Sequence, residues 1–465
     1  MTVQQKAFKS RRRYNQWVTN QTLEDFALRY TPVSARRWSA KRVVMTALSA
    51  ITFLALEAIG GALTLTYGFN YVVVAVILVS IIIFALSMPI AINAAKNGLD
   101  IDLLTRGAGF GYLGSTVTSL IYASFTFIFF ALEAAIMAMA LNMLFGLPLH
   151  FGYLIGSVVV IPLVTWGFTF ISRFQQFTQF CWLALQLLPF IFILIREHHV
   201  LQNWIDFPGF ITARDGSFDF LQLGAVCSVL LSLVSQVGEQ VDQVRFLPKP
   251  QHPARWRWYG AVIAAGPGWV VIGAIKILLG SFLAVLAFNY GLGAELASEP
   301  THMYLVAFSY VTHSSSTLLA LTGIFVVLSQ LKINVTNAYA GSIAWSNFFL
   351  RLTHRHPGRV VWLFFNVGIA LLLMELGVYR VFEDILGIYA VAATSWLGSV
   401  VADITLNKWL KLRPAEIEFR RAYLYDINPV GIGSMTLAML CGLSAWMGWL
   451  GHPLQVFASM LSLCL

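Results

Sequence analysis

From residue 43 onward, apolar runs of about 20 residues follow one another, separated only by short polar links. A membrane-spanning helix needs roughly 20 apolar residues, so each run predicts a span. They fall at 43–67, 70–95, 116–145, 151–171, 175–195, 220–244, 259–288, 306–331, 360–379, 386–406 and 429–449. A twelfth run starts near 452 and ends with the sequence at Leu465, which suggests either a fragment of a longer protein or a short re-entrant tail. Hydrophobic residues make up 58% and charged residues 11%, the balance of a polytopic membrane protein and not of a soluble domain.

The net charge of +9 is distributed in a way that argues against nucleic acid as a partner. With the N-terminus in the cytoplasm, 25 of the 30 Lys and Arg residues fall on the inner side, three on the outer side (Arg196, Arg214, Arg380) and two, Lys276 and Lys332, inside spans. That is the positive-inside rule. It predicts a multi-pass protein of a bacterial inner membrane, with a basic face toward anionic lipid.

The chain divides into a basic segment (1–42), spans one to five (43–195), an external loop (196–218), spans six to ten (219–406), a cytoplasmic loop (407–428), and span eleven with the start of the twelfth (429–465). "TNQTLEDFALRY" (19–30) reads as an amphipathic helix on the inner leaflet. About 40 polar residues precede the first run, so no cleaved signal peptide is expected. Cys181, Cys227, Cys441 and Cys464 show no paired spacing, and no metal, cofactor or disulfide framework is predicted. The chain carries no HExxH and no GxSxG, so nothing indicates an enzyme.

Ionisable groups inside spans are costly and mark sites by default. Here they are few. Glu57 lies in span one, before Gly60-Gly61. Glu133 lies in span three, near Phe129. "SLVSQVGEQVDQVRF" (232–246) gives span six Ser232, Ser235, Gln236, Glu239, Gln240, Asp242 and Gln243. Span eight carries Gln330, Lys332, Asn334, Thr336 and Asn337, and span seven carries Lys276. The glycines after Glu57 and at Gly238 make spans one and six breakable. Interrupted spans at matching places in two halves point to a transporter site. Spans one and six are five apart, as are spans three and eight. The prediction is an all-α, five-plus-five inverted repeat with about two further helices and a site between spans one, three, six and eight.

Three stretches carry a resemblance: "GLDIDLLTRGAGFGYLGS" (98–115), "SLVSQVGEQVDQVRF" (232–246) and "INVTNAYAGS" (333–342). Together they resemble the nucleobase–cation symporters, in the purine–cytosine permease branch, which share the leucine-transporter fold. The resemblance implies a purine, pyrimidine or hydantoin-like solute bound midway across the membrane. It places Glu133, Ser232, Leu233, Ser235, Asn334 and Asn337 at the solute. It places Lys332 and Ile333 where that family holds a sodium ion with span-eight hydroxyls. It also implies aromatic stacking from spans three and six; this chain offers Phe127, Phe129 and Phe130 but has Leu233 at the span-six position.

Lys332 has three readings: an ammonium that replaces the sodium ion and ties span eight to carbonyls of a broken span one, an ion pair with Glu57, Glu133 or Glu239, or a side chain snorkelling to the cytoplasm. Glu133 reads as a ligand acceptor, as a holder of a proton, or as a partner of Lys332. Glu57 and Glu239 read as site residues or as groups that cap or neutralise a broken helix. Gln236, Glu239 or Gln240, and Gln243 share one face, as a permeation wall or a hydrogen-bond seam. Lys276 is expected to have a structural partner or to lie near a span end. The functional expectation is a sodium-independent or proton-coupled transporter of a small polar solute. The alternative is a permease-like sensing domain fused to a signalling module such as a histidine kinase, suggested by "FLALEAIGG" and "EFRRAYLYDINPVGIG".

Overall fold

The apolar run predicted over 70–95 forms one continuous helix, Phe69–Asn97, and most of the others follow suit. The computed structural model describes residues 13–14, 30–36, 38–197, 199–211, 218–249, 255–412 and 416–465. Residues 19–29 of the predicted amphipathic helix, and His198, lie outside these. Among the described residues, eight helices are long and apolar enough to cross a membrane by length and composition, and Leu149–Thr165 is a shorter apolar helix. Span nine is Arg359–Glu375. Span one misses the length only because it is broken, into Ala40–Ser49 and Ala55–Tyr67.

Several boundaries shift for physical reasons. Spans four and five meet at Trp166, not near residue 173, so Arg173 sits within span five, Gly167–Arg196. Span seven is Arg255–Ala265 followed by Trp269–Asn289; Gly266-Pro267-Gly268 interrupts the ladder between them. Span eight begins later and runs further than predicted, Ser315–Thr353, because residues Pro300–Ser309 form a separate helix. Asn334 and Asn337 therefore lie mid-helix. The polar inner half of span eight stays helical because its side chains find buried partners, as buried polar groups must: Asn347 Nδ2 donates to Asp102 Oδ2 at 2.8 Å, and Arg351 lies 3.8 Å from Asp102. Span eleven is Pro429–Trp446, and short helices at His452–Val456 and Ala458–Cys464 complete the described chain.

The glycines do not break the helices where predicted. Span one breaks at 50–54, before Glu57, and Gly60 and Gly61 lie inside the outer helix. They serve close packing instead. A Cβ on Gly60 would run into the Ile277 carbonyl, and one on Gly280 into the Glu57 backbone. Span six breaks at Ser232–Ser235, a 3-10 turn between Phe220–Leu231 and Gln236–Val244. Gly238 lies beyond that turn, with the Tyr122 ring against it.

One end of the bundle is closed around residues 36–38. Arg36 Nε donates to Leu247 O at 2.7 Å, and its Nη2 reaches Ala95 O. Trp38 stacks on Phe168 and Phe246. Arg245 lies 3.4 Å from Asp100, both fully buried. A two-residue parallel strand pair joins Arg13–Tyr14 to Arg355–His356 below span eight.

Candidate functional site

A broken helix frees backbone groups that must be satisfied by side chains at membrane depth. In span one two neighbouring helices, spans eight and three, meet the break. Thr52 Oγ1 donates to the Ser329 carbonyl of span eight at 2.8 Å. The Leu54 N–H donates to Gln330 Oε1 at 3.4 Å. The Ala55 N–H donates to Glu133 Oε1 of span three at 3.3 Å. Glu133 is thus held at the break with Gln330, and Lys332 is not its partner.

Beside this break lies an aromatic cluster drawn from more spans than the sequence suggested. Phe129 of span three meets Phe53 edge-on at 6.4 Å and Phe125 at 4.6 Å. Phe125 in turn faces Tyr389 of span ten at 6.1 Å. Tyr389 OH donates to Ser235 Oγ at 2.6 Å, which ties span ten to the 3-10 turn of span six. Ser232 bonds back to its own helix, at Val229 O.

The other predicted residues divide into separate groups. Gln236 Nε2 donates to Glu239 Oε2 at 2.8 Å, and Asn337 Nδ2 to Asn334 Oδ1 at 3.3 Å. Glu57 is drawn outward into a fully buried cluster. Lys276 Nζ lies 2.9 Å from Glu57 Oε1, Tyr304 OH donates to the same oxygen at 2.7 Å, and Gln186 Nε2 approaches it at 3.4 Å. Lys276 has the partner expected of it.

Lys332 has 0% exposure, which removes the snorkelling reading. Its ammonium donates to Gln175 O and to Thr178 Oγ1, each at 3.0 Å. Among the described residues no carboxylate pairs with it, which removes the ion-pair reading. Its oxygens come from span five, not from span one as predicted. That stripe of span five escaped the sequence reading. Gln175, Thr178, Trp182 and Gln186 recur at helical spacing on one face, the signal that could have found it. Trp182 Nε1 donates to Ser329 Oγ at 2.9 Å.

Buried oxygens and nitrogens remain without a hydrogen-bond partner among the described residues: Glu133 Oε2, Gln330 Nε2, Asn334 Nδ2, Asn337 Oδ1 and Glu239 Oε1. A cavity of about 10 Å3 is lined by Glu239, Asp242, Gln243 and Thr336 with Gln175 and Tyr339. The arrangement offers a ligand acceptors, donors and aromatic surface within two broken helices.

No family model matches the chain, and no curated protein matches it. Solved structures do. Mhp1, a nucleobase-cation-symport-1 family transporter, in a closed conformation with bromovinylhydantoin bound, is similar at a TM-score of 0.68 and 16% identity, over 95% of this chain and 93% of that chain. The chain has the leucine-transporter fold. Inward-facing Mhp1 matches at 0.63 and 17% identity, over 90% of this chain and 88% of that one. A Na+-coupled sialic acid symporter matches at 0.61 and 12% identity, over 96% and 92%.

Proposed function

We propose that this chain is a secondary transporter for a small polar solute of the nucleobase or hydantoin kind, in a bacterial cytoplasmic membrane with its N-terminus inside. The observation that carries this reading is the span-one break, held at Ala55 by Glu133 and at Leu54 by Gln330, with Glu133 Oε2 and Gln330 Nε2 still unpartnered among the described residues. A planar solute with N–H and C=O edges complements that pair, and Phe129, Phe53 and Phe125 supply faces to stack on. Stacking of a base on an aromatic ring is worth roughly 1–3 kcal/mol. The similarity to Mhp1 holding bromovinylhydantoin supports the same solute class.

The Lys332 ammonium takes over the coupling ion's role. Its partners are a carbonyl and a hydroxyl oxygen, the hard oxygen ligands that a small cation takes. Uptake then needs no sodium.

The test is uptake of radiolabelled nucleobases, hydantoins and amino acids into proteoliposomes, in sodium and with sodium replaced by potassium. Saturable uptake, equal in both and lost in Lys332→Ala, is the expected result. Uptake that requires sodium overturns the role given to Lys332. No saturable uptake of any of these solutes by folded protein overturns transport.

A further inference from the structure

Five helices border a second cavity, open to the surface and away from both breaks. Its volume is about 370 Å3, within the size range of small-molecule pockets, roughly 300–1,000 Å3. Ser228 lines it from span six, Asp384 and Gly387 from span ten, Trp446 from span eleven, and His452 and Gln455 from the helix that follows. These residues share one level. Phe220 begins span six, residue 382 begins span ten, Trp446 ends span eleven and His452 begins the next helix. With the N-terminus inside, all four ends face outward, and so does the cavity.

Among the described residues the lining contains a carboxylate, Asp384, and no Lys or Arg. Among the described residues Asp384 has neither an ion pair nor a hydrogen bond. The hydroxyls at the floor are already engaged: Ser228 Oγ donates to Val456 O at 2.6 Å, and Ser459 Oγ to Ser228 Oγ at 3.1 Å. Gln455 Nε2 donates to Trp446 O at 3.2 Å, which fixes that corner. Trp446 can pack against span ten because position 387 is glycine; a Cβ there would lie 2.9 Å from Trp446 Nε1. Asp384 is exposed at the mouth of the cavity, and an indole that lines the same cavity as a carboxylate offers a recognition pair for a positive charge carried on an apolar body.

We propose that this cavity binds an alkylammonium group, through the Asp384 carboxylate and the Trp446 indole. The cavity shares two helices with the central site. Tyr389, two residues beyond Gly387, reaches Ser235 in the span-six turn, and Ser228 lies two helical turns before Ser235 on the same span. An occupant that holds span ten against span eleven therefore bears on the Tyr389–Ser235 contact. The cation has two sources, a free organic amine or the amine head group of a lipid, and the experiment separates them.

The full chain is placed in nanodiscs of phosphatidylglycerol and titrated calorimetrically with benzyltrimethylammonium. A saturable component is expected, weakened at least tenfold in Asp384→Asn and abolished in Gly387→Leu, which fills the cavity. Thermal unfolding of both variants confirms that they are folded. The neutral isostere neopentylbenzene should show no such component. Repeating the titration with half the lipid as phosphatidylethanolamine assigns the source: loss of probe binding identifies the lipid amine, unchanged binding identifies a free amine. No saturable component in the wild-type chain, or one that Asp384→Asn leaves intact, overturns the proposal.

Discussion

Lys332 and Gln175 hold each other twice. The lysine ammonium donates to the Gln175 carbonyl at 3.0 Å, and the Gln175 side-chain amide donates to the Lys332 carbonyl at 2.7 Å. A charge from one helix and an amide from another thus lock spans eight and five together at full burial, with no acid between them. Burying a charge without a counter-charge is expensive, and a chain that only needed the two helices joined could use neutral groups. Lys332→Met removes that cost. It should leave the thermal midpoint unchanged or raised, while abolishing uptake. A variant that unfolds and transports poorly in proportion would instead make Lys332 a structural residue.

Glu133→Gln keeps an oxygen for the Ala55 N–H, so the break should survive. It replaces the unpartnered carboxyl oxygen, an acceptor, with an amide nitrogen that can only donate. A buried polar group left without its partner costs about 1–3 kcal/mol, so solute affinity should fall roughly 5- to 150-fold with the melting temperature little changed. Equilibrium binding of the solute that the uptake screen selects, measured on purified protein, checks both parts.

The Glu57–Lys276 pair behaves differently, because each group is the other's compensation. Removing one partner of a buried pair costs about 3–5 kcal/mol. Lys276→Ala should therefore lower stability by that order, and Glu57→Gln with Lys276→Met should recover most of it. Denaturation of the two variants side by side makes the comparison. Equal loss in both would mean that the pair is not what stabilises this cluster.

Overpacking sets the cost at the contact between spans one and seven. Gly280→Val drives a side chain into the Glu57 backbone, and overpacking a tight core typically costs about 1–3 kcal/mol. Nothing lies within 4 Å of a Cβ on Gly433, so Gly433→Ala should be silent. The thermal midpoint should fall in the first variant only.

His302 Nδ1 lies 2.5 Å from Glu299 Oε2. The hydrogen bond that the imidazole donates to the Glu299 carboxylate holds it above its usual range. A raised folded-state value means that this contribution is present in full below the unfolded value and is lost as pH rises through the folded one. With the intrinsic base-catalysed rate divided out, the amides of helix Pro300–Ser309 should be less protected at pH 8 than at pH 6, and Glu299→Gln should remove that difference in protection.

Much of this was legible in the residues. Continuous apolar runs leave little choice but spanning helices, and the side on which Lys and Arg fall supported their alternation. The pairing of breaks in spans one and six could be read because polar residues inside apolar runs are rare. Their position could not. Gly60 looked like a hinge, yet its missing side chain is used for contact with Ile277, a tertiary reason invisible in one strand of text. The partner of Lys332 was missed for a related cause. Gln175 and Thr178 are uncharged, so composition gave them no weight, and only their spacing with Trp182 and Gln186 marks a buried face. Phe53 and Tyr389 reach the aromatic cluster from spans one and ten, and nothing local announces that they meet Phe125 and Phe129.

The span-one break has its loose groups lent to different walls: Thr52 to Ser329, Leu54 to Gln330, Ala55 to Glu133. A molecule that takes over even one of these bonds is registered by spans three and eight together. Occupancy should then be measurable as stiffness. Binding that rigidifies a site spends conformational entropy and makes any later ordering of the same walls easier, so a filled chain should resist unfolding by force or by protease over its whole middle layer, and not only at the atoms that touch the guest.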